Sequence, residues 1–194
     1  RSLSAAFREY LRHLGLQDFP CGLGRWNKSS FKGHRSPRGV QPGKEEAVLD
    51  EESPETLLEL LRDWHSPWAL PPDCSPQDQL LKKVAVLAPE LIHGSKIYRV
   101  LKSLRMVDKG VEEIDEGVLK FQQLEELILS ANQISRITSA NLPRTLKVLE
   151  LCCNTVDDLQ DLCAQPPPEL QHLGLGHNRL CSPFQDKFLT EDFW

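Results

Sequence analysis

Three segments of this chain share one spacing: Leu124-Glu-Glu-Leu127-Ile-Leu129-Ser-Ala-Asn132-Gln-Ile134, Leu146-Lys-Val-Leu149-Glu-Leu151-Cys-Cys-Asn154-Thr-Val156 and Leu170-Gln-His-Leu173-Gly-Leu175-Gly-His-Asn178-Arg-Leu180. Their first leucines lie 22 and 24 residues apart, and asparagine holds the same place in each. Self-similarity at such a period marks a stack of equivalent units. Within a unit, Leu127 and Leu129 are two residues apart and point to one side of a short strand. That side stacks on Leu149 and Leu151, then on Leu173 and Leu175. One unit cannot bury this face alone, so neighbours require each other. Asn132, Asn154 and Asn178 stand where the chain leaves the strand. There an amide, both donor and acceptor, can satisfy backbone groups stranded inside the turn.

The pattern L-x-x-L-x-L-x-x-N-x-L is the leucine-rich repeat signature. The expected fold is an α/β leucine-rich repeat solenoid with short parallel strands, preceded by an α-helical N-terminal region. A weaker copy, Leu101-Lys-Ser-Leu104-Arg-Met106-Val-Asp-Lys109-Gly-Val111, begins 23 residues before Leu124. Lys109 replaces the asparagine, and an ammonium accepts no hydrogen bond. This is read as a degenerate first repeat, since terminal repeats are commonly atypical. Behind each strand the apolar residues thin to every third position, as in Ile134, Ile137 and Leu142, or Val156, Leu159 and Leu162. That predicts tight turns or short helices on the convex side. Proteins of the SDS22-like class, intracellular and near 22 residues per repeat, are similar. The apolar tail of Phe184, Phe188, Leu189, Phe193 and Trp194 begins no polar cap, and the chain opens without methionine. A fragment, about four repeats long and cut at its C-terminus, is expected.

Upstream of the repeats, three regions follow one another. Residues 1–24 carry a helix with Leu3, Phe7, Leu11 and Leu14 on one stripe. Residues 25–52 lose all periodicity: Arg25, Lys28, Lys32, Arg35, Arg38 and Lys44 precede Glu45, Glu46, Asp50, Glu51 and Glu52. Such a charged linker is expected to be disordered. Residues 53–96 read as a helical cap region packing on the open end of the first repeat. Ser53-Pro54 and Ser75-Pro76 are helix starts. Leu57, Leu58, Leu61 and Trp64 form one apolar face, Leu80, Leu81, Val84 and Leu87 the next, and Pro89 ends or bends the second helix. Residues 97–194 hold the repeats.

Composition bounds the function class. Hydrophobic residues at 40% and charged ones at 26% are ordinary for a globular protein. No apolar run approaches a membrane span, and no signal-peptide pattern opens the chain. The six cysteines lack paired spacing, which favours a reducing, cytoplasmic setting over a disulfide framework. The basic stretch with Trp26 and Phe31 has the chemistry to bind an acidic surface. The acidic run after it and the formal net charge of -5 argue against nucleic acid as the partner. Arg35-Ser36-Pro37-Arg38 is a candidate phosphorylation site whose phosphate would pair with the flanking arginines. Cys153 and His177 share a repeat position, yet two ligands close no zinc site and no C-x-x-C completes one. Nothing orients a base or forms an oxyanion site, so no catalytic residues, cofactor or small-molecule substrate are assigned.

The concave surface remains. Outward positions are Ser103, Arg105 and Val107, then Glu126, Ile128 and Ser130, then Val148, Glu150 and Cys152, then His172, Gly174 and Gly176. Ile128, Val148 and Val107 form an apolar centre flanked by Glu126, Glu150 and Arg105, the make-up of a protein-binding patch. Gly174 and Gly176 are expected to leave backbone open to a partner.

Glu9-Tyr10-Leu11-Arg12-His13-Leu14, Phe19-Pro20-Cys21-Gly22-Leu23-Gly24 and Ser66-Pro67-Trp68-Ala69-Leu70-Pro71, with Leu173-Gly-Leu-Gly-His-Asn178, resemble the leucine-rich repeat-containing protein 43 family along the whole chain. The resemblance implies a non-enzymatic interaction protein, similar to proteins of motile cilia, with an axonemal or microtubule-associated protein partner. No catalytic residues carry over. The alternative is a regulatory subunit that directs a soluble enzyme such as a protein phosphatase, as some SDS22-like proteins do. A third reading is an RNA-binding linker tethered to a structural solenoid.

Overall fold

A computed structural model of the chain describes residues 1–16, 58–59, 61–66 and 69–181. The charged segment 25–52 with Ser36, the helix start at Ser53 and the apolar tail from Phe184 lie outside these residues. Two units are present, Arg1–Leu14 with His93–Trp194, and Gly15–Ile92.

In the first unit, β1 (Ser103–Arg105), β2 (Glu126–Ile128), β3 (Val148–Glu150) and β4 (His172–Gly174) form one parallel sheet in chain order. Their register aligns Leu104, Leu127, Leu149 and Leu173. The first three are fully buried, as are Leu101, Met106, Leu124, Leu129, Leu146 and Leu151. Leu173 and Leu175, on the last strand, are half-buried. Convex segments are short, as the every-third spacing predicts: 3-10 helices at Glu116–Lys120 and Ser139–Asn141, and the helix α3 at Gln160–Ala164.

The asparagines bind each repeat to the one before it. Asn154 Oδ1 accepts from the Ile134 N–H at 3.0 Å, while its Nδ2 donates to the carbonyls of Leu129 at 2.9 Å and Leu151 at 3.0 Å. Asn178 repeats the pattern with Val156, Leu151 and Leu175. Asn132 accepts from Lys109 and Val111 and donates to Met106 and Leu129. The residue before each asparagine reverses the chain with positive φ, 58° at Ala131, 57° at Cys153 and 53° at His177, as does Asp108, before Lys109, at 53°. Side chains other than glycine resist this conformation by roughly 1–2 kcal/mol, and the hydrogen bonds of the adjacent amide offset the cost. Lys109 fits its place because β1 is the first strand of the sheet. Among the described residues no strand precedes β1 in the sheet for an asparagine to join.

Residues 1–3 pair with the first repeat at this edge. Ser2 bridges Glu113 in parallel, just as Arg136 bridges Asp158 further along the stack. Glu112 N–H donates to the Arg1 carbonyl at 2.9 Å and Leu3 N–H to the Glu113 carbonyl at 3.0 Å. Helix α1 (Leu3–Leu14) then starts under two caps: Ser2 Oγ accepts from Ala5 N–H at 3.3 Å and Asp115 Oδ1 from Ser4 N–H at 2.9 Å. Burial falls on Leu3, Ser4, Ala6 and Phe7, with Leu11 and Leu14 only half-covered. The expected stripe is thus rotated toward small residues where the helix approaches Gly117, at which a β-carbon would overlap the Ser4 side chain. Phe7 meets Phe121 edge-on at 5.1 Å between centroids, and Tyr98, on the 3-10 helix Gly94–Arg99, meets both rings at 5.7 and 4.9 Å. This aromatic cluster closes the open end of the first repeat.

In the second unit, α2 (Pro76–Leu87) begins as its sequence dictates, with Ser75 Oγ accepting from Asp78 N–H at 3.1 Å and proline in the first turn. It ends before Pro89, which opens a 3-10 turn. Its buried residues are Leu81, Ala85 and Val86, while Leu80 and Leu87 are exposed, so the apolar face is turned from the expected one. Trp64 also departs from its expected face. It follows the helical residues 61–62 in a turn, is 81% exposed and lies against the His65 ring.

Replacing Asn154 by alanine leaves buried backbone groups unpaired and is expected to cost about 1–3 kcal/mol in denaturant unfolding. Lys109→Asn, with no strand behind it, is expected to shift stability by less than about 0.5 kcal/mol; equal effects at both positions would refute the ladder account. Asp115 supplies a pH dependence. Desolvation pushes its carboxyl up, but the N–H groups of Ser4, Asp115 and Gly117 outweigh this and hold it below the ordinary aspartate value. A depressed acid contributes stability above its unfolded value, and that contribution disappears as pH falls through the folded value. Amide exchange in the first turn of α1 should therefore accelerate in that acid window, and Asp115→Ala should accelerate it already at neutral pH.

Candidate concave binding face

Strand register turns the outward positions into a grid. One row runs Ser103, Glu126, Val148 and His172; the next runs Arg105, Ile128, Glu150 and Gly174. Val107, Ser130, Cys152 and Gly176 follow two residues further along each strand. The three aliphatic residues therefore lie on a diagonal, Val107 beyond β1, Ile128 on β2 and Val148 on β3, and all three are half-buried. Arg105 and Glu126 lie to one side of it and are exposed; Glu150, half-buried, lies to the other. The structure thus places all eight expected contact residues on one face, or at its edge for Val107.

Glu150 is held from two sides on this face. Its Oε2 lies 3.1 Å from His172 Nε2, and its Oε1 accepts from the Cys152 N–H at 3.2 Å. Desolvation works to raise its pKa, but these contacts prevail and hold the carboxyl below the ordinary glutamate value. The carboxylate reaches His172 by crossing Gly174, where a β-carbon would overlap it. This corrects the expectation that Gly174 leaves open backbone, because a side chain of the neighbouring strand already covers it. At Gly176 an added β-carbon would touch Cys152 Sγ at 3.3 Å. The pairing was readable only from the register, which sets position 150 beside 174 and one strand row from 172.

Cys152 and His172 flank Glu150 on this face. The Glu150 carboxylate, and then burial, push the Cys152 thiol up, which lowers the thiolate fraction a nucleophile needs. Cys153 and His177 share their exposed turn position, and among the described residues no group of three His, Cys, Asp or Glu side chains is placed to hold a metal ion. A separate cavity of about 280 Å³ lies between α1 and the turn after β1, lined by Arg1, Ala6, Glu9, Tyr10, His13, Asp108 and Lys109. Arg1 and His13 both reach Glu9 there.

Gly174→Ala should evict the Glu150 carboxylate from its place against His172. The expected result is a Glu150 carboxyl pKa, followed by carbon-13 NMR, that climbs back toward the ordinary value while the fold persists. An unchanged titration would mean that the cross-strand contact does not set the acidity.

Residues 10–93 match the family model described as leucine-rich repeat-containing protein 43 N-terminal domain, and residues 122–180 match the leucine rich repeat model. The first range closely follows the Gly15–Ile92 unit. Over 100% of its length the chain is 47% identical to leucine-rich repeat-containing protein 43 of Mus musculus and 46% identical to that of Homo sapiens. It spans 29% and 30% of those proteins, so it corresponds to under a third of each. Repeat architecture, N-terminal domain and similarity along the whole of this chain agree: the chain belongs to the leucine-rich repeat-containing protein 43 family.

Proposed function

We propose that this chain is a non-enzymatic module that docks a protein partner on the concave face of β1–β4. The observation that carries this reading is the diagonal of half-buried Val107, Ile128 and Val148, fixed by strand register and bordered by Arg105, Glu126, Glu150 and His172. An apolar centre in a polar rim is how protein interfaces are commonly built, with a few central residues supplying most of the affinity. Gly174 contributes by admitting the Glu150 carboxylate. Leucine-rich repeat families serve broadly in protein interaction, which supports the same reading. The proposed setting is the cytoplasm of ciliated cells, at the axoneme, with a microtubule-associated protein as the partner.

The test is cross-linking mass spectrometry on the tagged, full-length protein in ciliated cells, beside an Ile128→Glu/Val148→Glu variant. Both positions face outward, so an unchanged melting curve is the expected control. Cross-links from Lys102 and Lys147 to axonemal proteins should fall about tenfold or more in the variant, the scale of a lost hot spot. Partners retained by the variant would move the binding site off this face. Recovery of a soluble phosphatase instead would replace the axonemal scaffold with a targeting subunit.

A further inference from the structure

Two carboxylates border one aliphatic residue on the concave face, and their surroundings set what they can accept. Val148 has Glu126 as its register neighbour on β2, and Glu150 two residues along its own strand on the same side. Glu150 is also the register neighbour of Ile128. From a strand spacing of ~4.8 Å and a rise of ~3.3 Å per residue, the backbones at 126 and 150 are roughly 8 Å apart across the diagonal. One long cationic side chain can address both carboxylates over that separation.

Neither carboxylate has a lysine or arginine partner among the described residues. Glu126 is exposed. Lys147, beside Val148 in sequence, is held by Glu125 at 3.2 Å. Glu150 is ordered by the Cys152 N–H and by His172. A preordered carboxylate, an exposed one and an aliphatic floor between them match a side chain with an apolar stem and a cationic head. We infer that the partner inserts a lysine or arginine here, its stem on Val148 and Ile128 and its charge between Glu126 and Glu150. This rests on the docking face proposed above and names the chemistry of its occupant: a basic protein segment, against which an acidic one would meet like charge.

The experiment uses the intact 194-residue chain with labelled isoleucine and valine methyls and two capped octapeptides, one alternating leucine and lysine, the other leucine and glutamate. The lysine peptide should shift the Ile128 and Val148 methyl signals and bind at least about tenfold tighter than the glutamate peptide, with affinity falling as salt rises. Glu126→Gln, at an exposed side chain, should keep the melting temperature and weaken the lysine peptide about threefold, the scale of one exposed ion pair. Equal binding of the two peptides with both methyl signals moved overturns the basic preference while leaving the face as a docking surface. Methyl signals unmoved by either peptide overturn the insertion site itself, and the cross-links of the Ile128→Glu/Val148→Glu variant then decide the docking face independently.

Discussion

The asparagine ladder is the constraint on which the rest of this structure depends. Each strand is only three residues long, too short to hold its register by backbone pairing alone. Asn132, Asn154 and Asn178 reach from one repeat into the preceding one and tie the turn of each to the strand of the other. A buried amide left unpaired is costly, so each repeat is fixed both in position and in phase. The leucine interior supplies the driving force for stacking, and the amides decide how the stack is aligned. Everything on the concave face inherits its place from that alignment.

The first end of the stack shows what a solenoid needs where repetition stops. Backbone groups of Glu112 and Glu113 are taken up by Arg1 and Leu3, which imitate a preceding repeat. The apolar end is covered by Phe7, Tyr98 and Phe121, brought together from three segments. Lys109 is a consequence of this change of neighbour. A position that elsewhere bonds back to a preceding strand has no such strand among the described residues, and the requirement for asparagine lapses.

The concave face combines two kinds of residue. Val107, Ile128 and Val148 are set by the sheet alone, because a fixed register spreads them along a diagonal. Glu150 needs more: a histidine one strand away, an amide two residues on, and a glycine beneath it. The second arrangement gives the face a fixed negative charge beside an aliphatic floor. Recognition of a protein segment by such a surface depends on the pairing of charge with the apolar anchor as much as on the anchor itself.

The repeated spacing by itself determined the solenoid, the parallel order of its strands, the inward leucines and the outward positions that make the concave face. These are local rules with a fixed period, and the period is written in the residues. The N-terminal helix was equally legible, but not its buried face, because close approach to Gly117 favours Ser4 and Ala6 over Leu11 and Leu14. Trp64 went the same way: its helical spacing promised a buried face, and a turn placed it in solvent. Only the tertiary structure decided which residues substitute for the missing first neighbour and that Gly174 is covered by Glu150. Contacts of that kind join residues far apart in the chain, 111 positions for Ser4 and Asp115 and 22 for Glu150 and His172. Periodicity describes a residue's own repeat; it is silent on what the folded chain brings across to meet it.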